Sequence, residues 1–166
     1  IMRIMAFDIG IHHFAWAKMH CLPGTPSALM GMDCHDFGDG LKTVDLYHHL
    51  LEYLRSLEME GVETVLIEQQ MNRMNIVATK MAVFVHAFFI MSYPHLRVIE
   101  YPSYHKTKKF GVHGLSKPER KKWSVQHVVD HVLGEKDPVG MDWLDQFPKK
   151  DDICDCILMI ESFRAP

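Results

Sequence analysis

Four acidic residues stand where a carboxylate side chain could take part in chemistry. Asp8 follows the apolar letters IMAF, and Glu68 follows the strand-like run TVLI. Asp152 and Asp155 lie three residues apart in "KKDDICDCILMIESF", so on a helix they share one face near its N-terminus. A carboxylate at the end of a buried strand costs free energy unless a partner compensates its charge. If the four side chains converge, their mutual repulsion requires a cation.

The donor atoms of this set indicate which cation it would bind. Carboxylate oxygens without a cysteine or histidine contribution select the hard ions Mg²⁺ or Mn²⁺. Two such ions a few ångströms apart clamp the attacking and leaving oxygens of an in-line phosphoryl displacement. The four acids, if they meet, therefore predict a two-metal site for phosphoryl chemistry.

Each acid also has a structural interpretation. Asp151 could cap the last helix, and Asp152 suits the first turn, where acidic side chains face the positive end of the helix. Glu68 could end its strand as a solvated residue. Asp155 is harder to explain in this way, because it lies beyond the first turn beside apolar residues.

The elements that must position these acids follow from hydrophobic periodicity and turn signals. Strands are predicted at 3–8, 14–20, about 28–37, 64–67 and 97–101. Helices are predicted at 43–60, about 75–92, 118–133 and from 151 to about 163, with a turn-rich stretch at 134–150. No linker, repeat or composition break divides the chain. The order indicates an α/β fold, a mixed five-stranded sheet flanked by helices, in a single domain over 1–166.

Charge is distributed unevenly along the 166-residue chain. The net charge is −3, but residues 97–122 contain eight basic and two acidic residues. That segment therefore carries +6 and the remainder of the chain −9. A solvated face is the ordinary cause of such a run, and a phosphate-binding segment on an acidic body has the same signature. The negative net charge argues against a protein that coats nucleic acid through a uniformly basic surface.

Cysteine and histidine usage bears on compartment and metal chemistry. The four cysteines lack the spacing of a disulfide framework or a zinc motif, which indicates a reducing, intracellular compartment. The twelve histidines are scattered without ligand spacing, so no histidine metal site is expected. The N-terminal apolar run is short and broken by Asp8, so no signal peptide is expected. The apolar helix 75–92 contains Lys80 and His86 and is too short to span a bilayer, so no membrane partner is expected.

Three motifs, taken in order, resemble a known family. "FDIG" on the first strand, "IEQQ" on the fourth and "KKDDICD" on the last helix resemble the RuvC-type Holliday junction resolvases, most closely the poxvirus-type viral resolvases of large DNA viruses. The resemblance covers nearly the whole chain. It implies a ribonuclease H-like fold and a homodimer that cuts four-way DNA junctions by paired nicks during recombination or replication of a viral genome.

The same resemblance implies the conditions of the reaction. Each site would use two Mg²⁺ ions, with Mn²⁺ able to substitute, and the nicks would carry 5′ phosphates. The protein would act at the site of viral DNA replication in the host cell, and its DNA partner would be branched.

The resemblance also assigns roles residue by residue. Asp8 matches the first-strand acid that bridges two metal ions, and Glu68 matches the fourth-strand acid. Asp152 and Asp155 match the acidic pair of the last helix. A basic loop residue is implied near the scissile phosphate. Lys106, Lys108 and Lys122 are the best matches, and Lys108 is taken as the catalytic candidate among them. The residues implied to contact DNA are Met71, Arg73, Met74, Lys106, Lys109, Lys121 and Lys122.

A homodimer is also expected from the substrate, because a four-way junction is close to two-fold symmetric and each chain carries one site. Helix 75–92 is apolar on nearly every face and is the candidate interface. The stripe expected to pack on the sheet comprises Ile76, Val83 and Ile90. The stripe expected to face a second chain comprises Met81, Val85 and Phe88. The alternative is that another helix of the same chain, such as 118–133, covers that stripe.

Other functions are compatible with parts of this pattern. Another nuclease of the same fold would carry the same acids and cut a flap, a repair intermediate or an RNA–DNA hybrid. A non-catalytic junction-binding protein is disfavoured, because clustered carboxylates are costly without a cation. An actin-like ATPase or sugar kinase also begins with a strand, D-x-G and a hairpin. Such an enzyme needs two lobes and a second glycine-rich phosphate motif, which this chain lacks.

Overall fold

A computed structural model describes residues 2–71 and 75–166 of the chain. Its strands are β1 (Met2–Asp8), β2 (Phe14–Cys21), β3 (Ala28–His35), β4 (Val62–Glu68) and β5 (Arg97–Tyr101). Its α-helices are α1 (Thr43–Arg55), α2 (Ile76–Ser92), α3 (His105–Lys108), α4 (Lys117–His127), α5 (Pro138–Asp145) and α6 (Asp151–Arg164). A π-helical turn, Val128–Val132, continues α4. Over the described residues, no helix has the length and apolar character needed to cross a membrane.

The strands form one mixed sheet in the order β3-β2-β1-β4-β5. β1, β2 and β3 pair antiparallel, and β4 and β5 extend the sheet parallel to β1. Phe7 lies opposite Ile67, so Asp8 and Glu68 follow at the same edge of the sheet. The predicted α/β architecture, a mixed five-stranded sheet flanked by helices, is confirmed.

Strand alternation divides the core between the two faces of the sheet. Ala6 packs in the apolar cluster that contains α6, whereas Phe7 packs in the cluster that contains α1 and α2. Asp8 is two residues beyond Ala6, and Glu68 is two residues beyond Leu66, which also packs against α6. The pleat of the sheet therefore directs both acids to the face on which α6 lies.

Helix α2 packs on the sheet with the face opposite to the expected one. The prediction that Met81, Val85 and Phe88 face away from the sheet is wrong, because these side chains are buried. The stripe exposed instead comprises Ile76, Val83 and Ile90, which are 61%, 64% and 58% exposed. Because apolar residues occur on every face of this helix, the sequence pattern does not indicate which face packs on the sheet. The alternative, in which 118–133 covers the outer stripe, does not hold either, because α4 packs with α6 in the other cluster.

The C-terminal half contains local structure that periodicity does not resolve. The predicted helix 118–133 begins with a capping box between Ser116 and Glu119 and becomes π-helical at Val128. The stretch predicted as turns contains α5, and the four residues of α3 are too few for a periodic signal. At the other end of the chain, β3 and α1 stop short of the predicted 37 and 60, since element ends carry the weakest signal.

Candidate active site

The four predicted acids lie around one point at the edge of the sheet. One carboxylate oxygen from each of Asp8, Asp152 and Asp155 lies within 4.8 Å of the other two. Glu68 ends the neighbouring strand, and Lys106 connects it to this group. The Lys106 ammonium is 3.6 Å from Glu68 Oε2 and 3.6 Å from Asp155 Oδ2. The end of β1, the end of β4 and the first turns of α6 thus supply one acidic cluster.

A tight turn after β1 shapes the rim of this cluster. A Cβ atom at Gly10 would lie 3.1 Å from the carbonyl oxygen of His13, so glycine is the residue that fits this close approach. The turn lets β2 begin directly beside the end of β1, with Ala15 opposite Asp8. The glycine of "FDIG" therefore has a structural reason that is independent of the acid before it.

Clustering changes the acid–base properties of the acids. Desolvation by the surrounding protein and the nearby charge of Glu68 raise the pKa of Asp8 well above its usual range. Burial also raises the pKa of Asp155, although Lys106 and a hydrogen bond from Ser124 oppose that shift. A raised carboxyl pKa means that the charged form is poorly compensated. The chain alone therefore stabilises the ionised forms of Asp8 and Asp155 poorly.

Lys106 on α3 is the internal cation of the cluster, and its side chain is only 11% exposed. Burial lowers the pKa of Lys106, but the attraction of three nearby acids outweighs burial and raises it overall. Lys108, the predicted catalytic lysine, points elsewhere: its ammonium lies 5.8 Å from the centre of the Tyr104 ring. Residues two apart on a helix differ by about 200° in direction, so Lys106 and Lys108 cannot both face the acids.

A second ion-pair group surrounds the start of α6. The Lys149 ammonium contacts Asp152 and lies 3.2 Å from Asp151 Oδ1, while the Lys121 ammonium lies 3.5 Å from Asp151 Oδ2. Asp151 is the first residue of α6, and Lys150 occupies the N-cap position. The interpretation of Asp151 as the helix cap is therefore wrong, and its side chain serves as an ion-pair partner.

A cleft of about 350 Å³ opens beside the acids. Its lining combines acidic, basic and aromatic side chains, among them Glu68, Asp155, Lys106, Lys117, Arg120, Lys121 and Tyr104. Ser124 of α4 also lines the cleft and donates a hydrogen bond of 2.9 Å to Asp155 Oδ1. The cleft therefore brings basic side chains and two of the acids together at one opening.

The structure places the other residues implied to contact DNA at several positions on the surface. Lys121 and Lys122 line a neighbouring hollow, and Met71 is 72% exposed just beyond β4. Lys109 lies 3.5 Å from the carbonyl oxygen of Ala165, which follows α6. The predicted DNA contacts Arg73 and Met74 lie outside the described residues.

The donor set of the cluster fits hard divalent cations. Carboxylate oxygens are the ligands that Mg²⁺ and Mn²⁺ prefer. Glu68 Oε2 is buried and accepts no hydrogen bond from the part of the chain that the structure describes, so it retains acceptor capacity for an ion. The raised pKa values of Asp8 and Asp155 also favour a bound cation, because its charge would stabilise their ionised forms.

Known proteins resemble this chain in sequence and in fold. No protein-family model matches it. It is 34% identical over 103 residues to Uncharacterized protein 97L of Invertebrate iridescent virus 3, a match that covers 61% of this chain and 48% of that protein. The chain therefore spans about half the length of this curated relative.

Among solved structures, three resolvases are similar over 98% of this chain. The fowlpox virus resolvase in complex with Holliday junction DNA has a TM-score of 0.71 at 21% identity, with 96% of that chain covered. The yeast mitochondrial Holliday junction resolvase has a TM-score of 0.74 at 12% identity, with 78% covered. Thermus thermophilus RuvC has a TM-score of 0.66 at 16% identity, with 95% covered. The chain has the Holliday junction resolvase fold.

The resolvase fold confirms, at the level of architecture, the resemblance of "FDIG", "IEQQ" and "KKDDICD". The fold also places near the acids several residues that no sequence motif indicated. Ser124 is 31 residues from Asp155, and only the packing of α4 on α6 joins them. His13 and Cys34 lie beside Asp152, although their spacing along the chain resembles no metal motif. Contacts of this kind arise from strand pairing and helix packing, which local sequence patterns do not encode.

Proposed function

We propose that residues 1–166 form a single nuclease domain that resolves four-way DNA junctions by paired, metal-dependent nicks. The observation that carries this proposal is the convergence of four acids beside a basic cleft on a resolvase fold. Similarity to an iridescent virus protein supports a viral origin, and the proposed role is in recombination or replication of the viral genome. The protein would act where that DNA is replicated in the host cell.

The carboxylates of Asp8, Glu68, Asp152 and Asp155 would hold two Mg²⁺ ions, and Mn²⁺ could take the same positions. Asp8 would be the central ligand of this set, as the resemblance implies, since β1 lies between β2 and the strand that ends in Glu68, and α6 packs against it. Bound ions of this kind activate a water molecule for in-line attack and stabilise the departing oxygen. With the 3′ oxygen as leaving group, the nicks carry 5′ phosphates and can be ligated.

The basic residues of the cleft would hold the DNA and counter the charge of the reacting phosphate. Of the lysines that match the family's basic loop, Lys106 rather than Lys108 is assigned the catalytic role, because its ammonium lies among the acids and lines the cleft. There it can stabilise negative charge that develops on the phosphate. Lys117, Arg120 and Lys121 are assigned to the DNA backbone, since phosphate contacts fix the position of a duplex without reading its sequence.

Cleavage of labelled substrates tests this function. A four-way junction, a flap and an RNA–DNA hybrid are each incubated with the protein and Mg²⁺, and we expect paired, ligatable cuts in the junction. Asp8→Asn should lower the cleavage rate by orders of magnitude while junction binding persists, because the basic cleft supplies most of the affinity. An uncut junction, or full activity in Asp8→Asn or in excess EDTA, would refute the proposal. Preferential cutting of the flap or hybrid would favour another nuclease of the same fold.

We also propose that two copies of the chain pair through the exposed stripe of α2. Ile76, Val83 and Ile90 are spaced by seven residues and are each more than half exposed. An apolar stripe of this length is unusual on the surface of a monomer. An isologous pair would bury it twice and would present two sites to the two strands of a nearly symmetric junction.

Sedimentation at micromolar concentration tests the pairing. Val83→Glu should convert a dimer into monomers and abolish paired cutting, because a buried unpaired charge is costly at an interface. Val139→Glu is a matched control, since Val139 is 57% exposed but lies on α5, and it should remain dimeric. A wild-type monomer that makes paired cuts would contradict the dimer.

A further inference from the structure

A second group of metal ligands lies next to the four acids. Cys34 is near the end of β3, His13 directly precedes β2, and Asp152 is in the first turn of α6. One ligand atom of each lies within 4.8 Å of the other two. Pairing of β2 with β3 places Cys34 opposite Ala15, two residues from His13. Three separate elements thus bring sulfur, nitrogen and oxygen donors together.

The donor types distinguish this group from the acidic cluster. Mg²⁺ takes oxygen ligands, whereas Zn²⁺ is bound by cysteine sulfur, histidine nitrogen and carboxylate oxygen. Mixed sites of this composition also favour Zn²⁺ over Mg²⁺ by ligand softness. Three protein ligands are the usual number in an open zinc site, whose fourth position is left to water or substrate.

We propose that His13, Cys34 and Asp152 form a site for Zn²⁺, with a fourth position open to solvent. His13 is exposed and Cys34 is partly exposed, so an ion can reach the site from the surface. The other three cysteines lie elsewhere: Cys21, Cys154 and Cys156 are buried in the core. Lys149, which contacts Asp152, is 39% exposed and can swing into solvent when an ion takes its place.

Asp152 gives this site a connection to the proposed catalytic centre. Asp152 belongs both to the group with His13 and Cys34 and to the group with Asp8 and Asp155. Zn²⁺ bound by His13 and Cys34 would therefore compete for the Asp152 carboxylate with any ion that the acidic cluster holds. Zn²⁺ should inhibit cleavage in Mg²⁺, and this consequence, unlike the binding itself, rests on the proposed nuclease function.

Cobalt binding tests the site without any nuclease assay. Co²⁺ commonly replaces Zn²⁺ and gives an intense near-ultraviolet charge-transfer band when a thiolate is a ligand. The full chain, in buffer with a non-chelating reductant, should develop this band and saturate at one Co²⁺ per chain, and Zn²⁺ should abolish it. Absence of the band would overturn the proposal.

Two substitutions identify the ligands. Cys34→Ser should remove the charge-transfer band. His13→Ala, at an exposed residue, should weaken Co²⁺ binding by about 10–100-fold or more, the loss that even outer-shell changes cause. Cys21→Ala and His12→Ala are the matched controls and should bind Co²⁺ as the wild type does. A band that survives both Cys34→Ser and His13→Ala, or that is lost equally in the controls, would overturn the assignment.

Zn²⁺ titration of the cleavage reaction tests the link to the acids. In excess Mg²⁺, the Zn²⁺ concentration for half-inhibition should rise by at least about tenfold in His13→Ala. Equal inhibition of wild type and variant would overturn the link through Asp152 while the Co²⁺ result stands. If the wild type cuts none of the substrates, the nuclease proposal fails, and the Co²⁺ measurements still decide whether the site exists.

Discussion

Replacing Asp8 by asparagine should stabilise the protein in the absence of divalent ions. A carboxylate oxygen of Asp8 lies within 4.8 Å of one from Asp152 and one from Asp155. At an effective dielectric constant of about 20, each like-charge pair at that distance costs about 3.5 kcal/mol. Lys106 offsets part of this cost. The cost that remains is limited, because Asp8 can take up a proton instead of staying charged. At a given pH this cost cannot exceed about 1.4 kcal/mol for each pH unit above the ordinary carboxyl pKa.

The two pairs together cost about 7 kcal/mol when all three acids are ionised. We expect the attraction of Lys106 and partial protonation to leave about 2 kcal/mol of this cost as the gain for Asp8→Asn near pH 8, which corresponds to a rise of about 4–8 °C in Tm. The measurement is thermal unfolding in EDTA, followed by circular dichroism. Glu63→Gln is the matched control, because Glu63 lies on the same strand as Glu68 but is exposed, and its Tm should not change. Mg²⁺ should raise the Tm of the wild type more than that of Asp8→Asn, since ligands stabilise the state that binds them.

The pH dependence of this gain follows from the raised pKa of Asp8. A carboxyl whose pKa is higher in the folded than in the unfolded state destabilises the fold fully at pH values above its folded pKa. This destabilisation is lost as the pH falls from the folded-state pKa to the unfolded-state pKa. The Tm difference between Asp8→Asn and wild type should therefore be largest near pH 8 and shrink toward pH 4. An Asp8→Asn protein that is folded but no more stable than wild type in EDTA at pH 8 would refute the convergence of the acids.

Three further predictions concern the cleft. Lys106→Met should lower the cleavage rate by about 10²–10³-fold, whereas Lys108→Met should change it by less than about tenfold; equal losses in single-turnover assays would contradict the assignment. Ser124→Ala removes the hydrogen bond to Asp155 and should cost about 1 kcal/mol, seen as a fall of about 2–4 °C in Tm, and an unchanged Tm would count against that bond. Arg120→Gln should weaken junction binding and flatten its salt dependence, and an unaltered salt slope would exclude a phosphate contact.

The parts of the site that lie within continuous elements could be predicted from the sequence. Asp8 and Glu68 end strands whose apolar letters mark them as buried, and parallel pairing brings such ends to one edge. Asp152 and Asp155 share a face because a helix repeats every three to four residues. Local periodicity therefore accounts for the acidic cluster, since each acid is fixed by the element that carries it.

The remaining features are set by how the helices and strands pack on one another, which local sequence patterns do not determine. The burial of Val85 rather than Val83 follows from how α2 meets the sheet, and a helix that is apolar all round is compatible with either face. Lys106 and Lys108 are equivalent as letters in a basic loop, and only the direction of α3 separates them. Cys34 comes close to Asp152 through strand pairing and helix packing across more than a hundred residues.

The position of Lys106 bears on whether the protein needs bound metal ions in order to fold. In a classical zinc finger the ion is required for folding, because only the ion holds its ligands together. Here the chain supplies its own resident counter-charge, an ammonium 3.6 Å from two of the acids. The chain can then fold completely before any ion binds. Binding and release of divalent ions at the proposed site would then switch activity on and off reversibly, without unfolding of the chain.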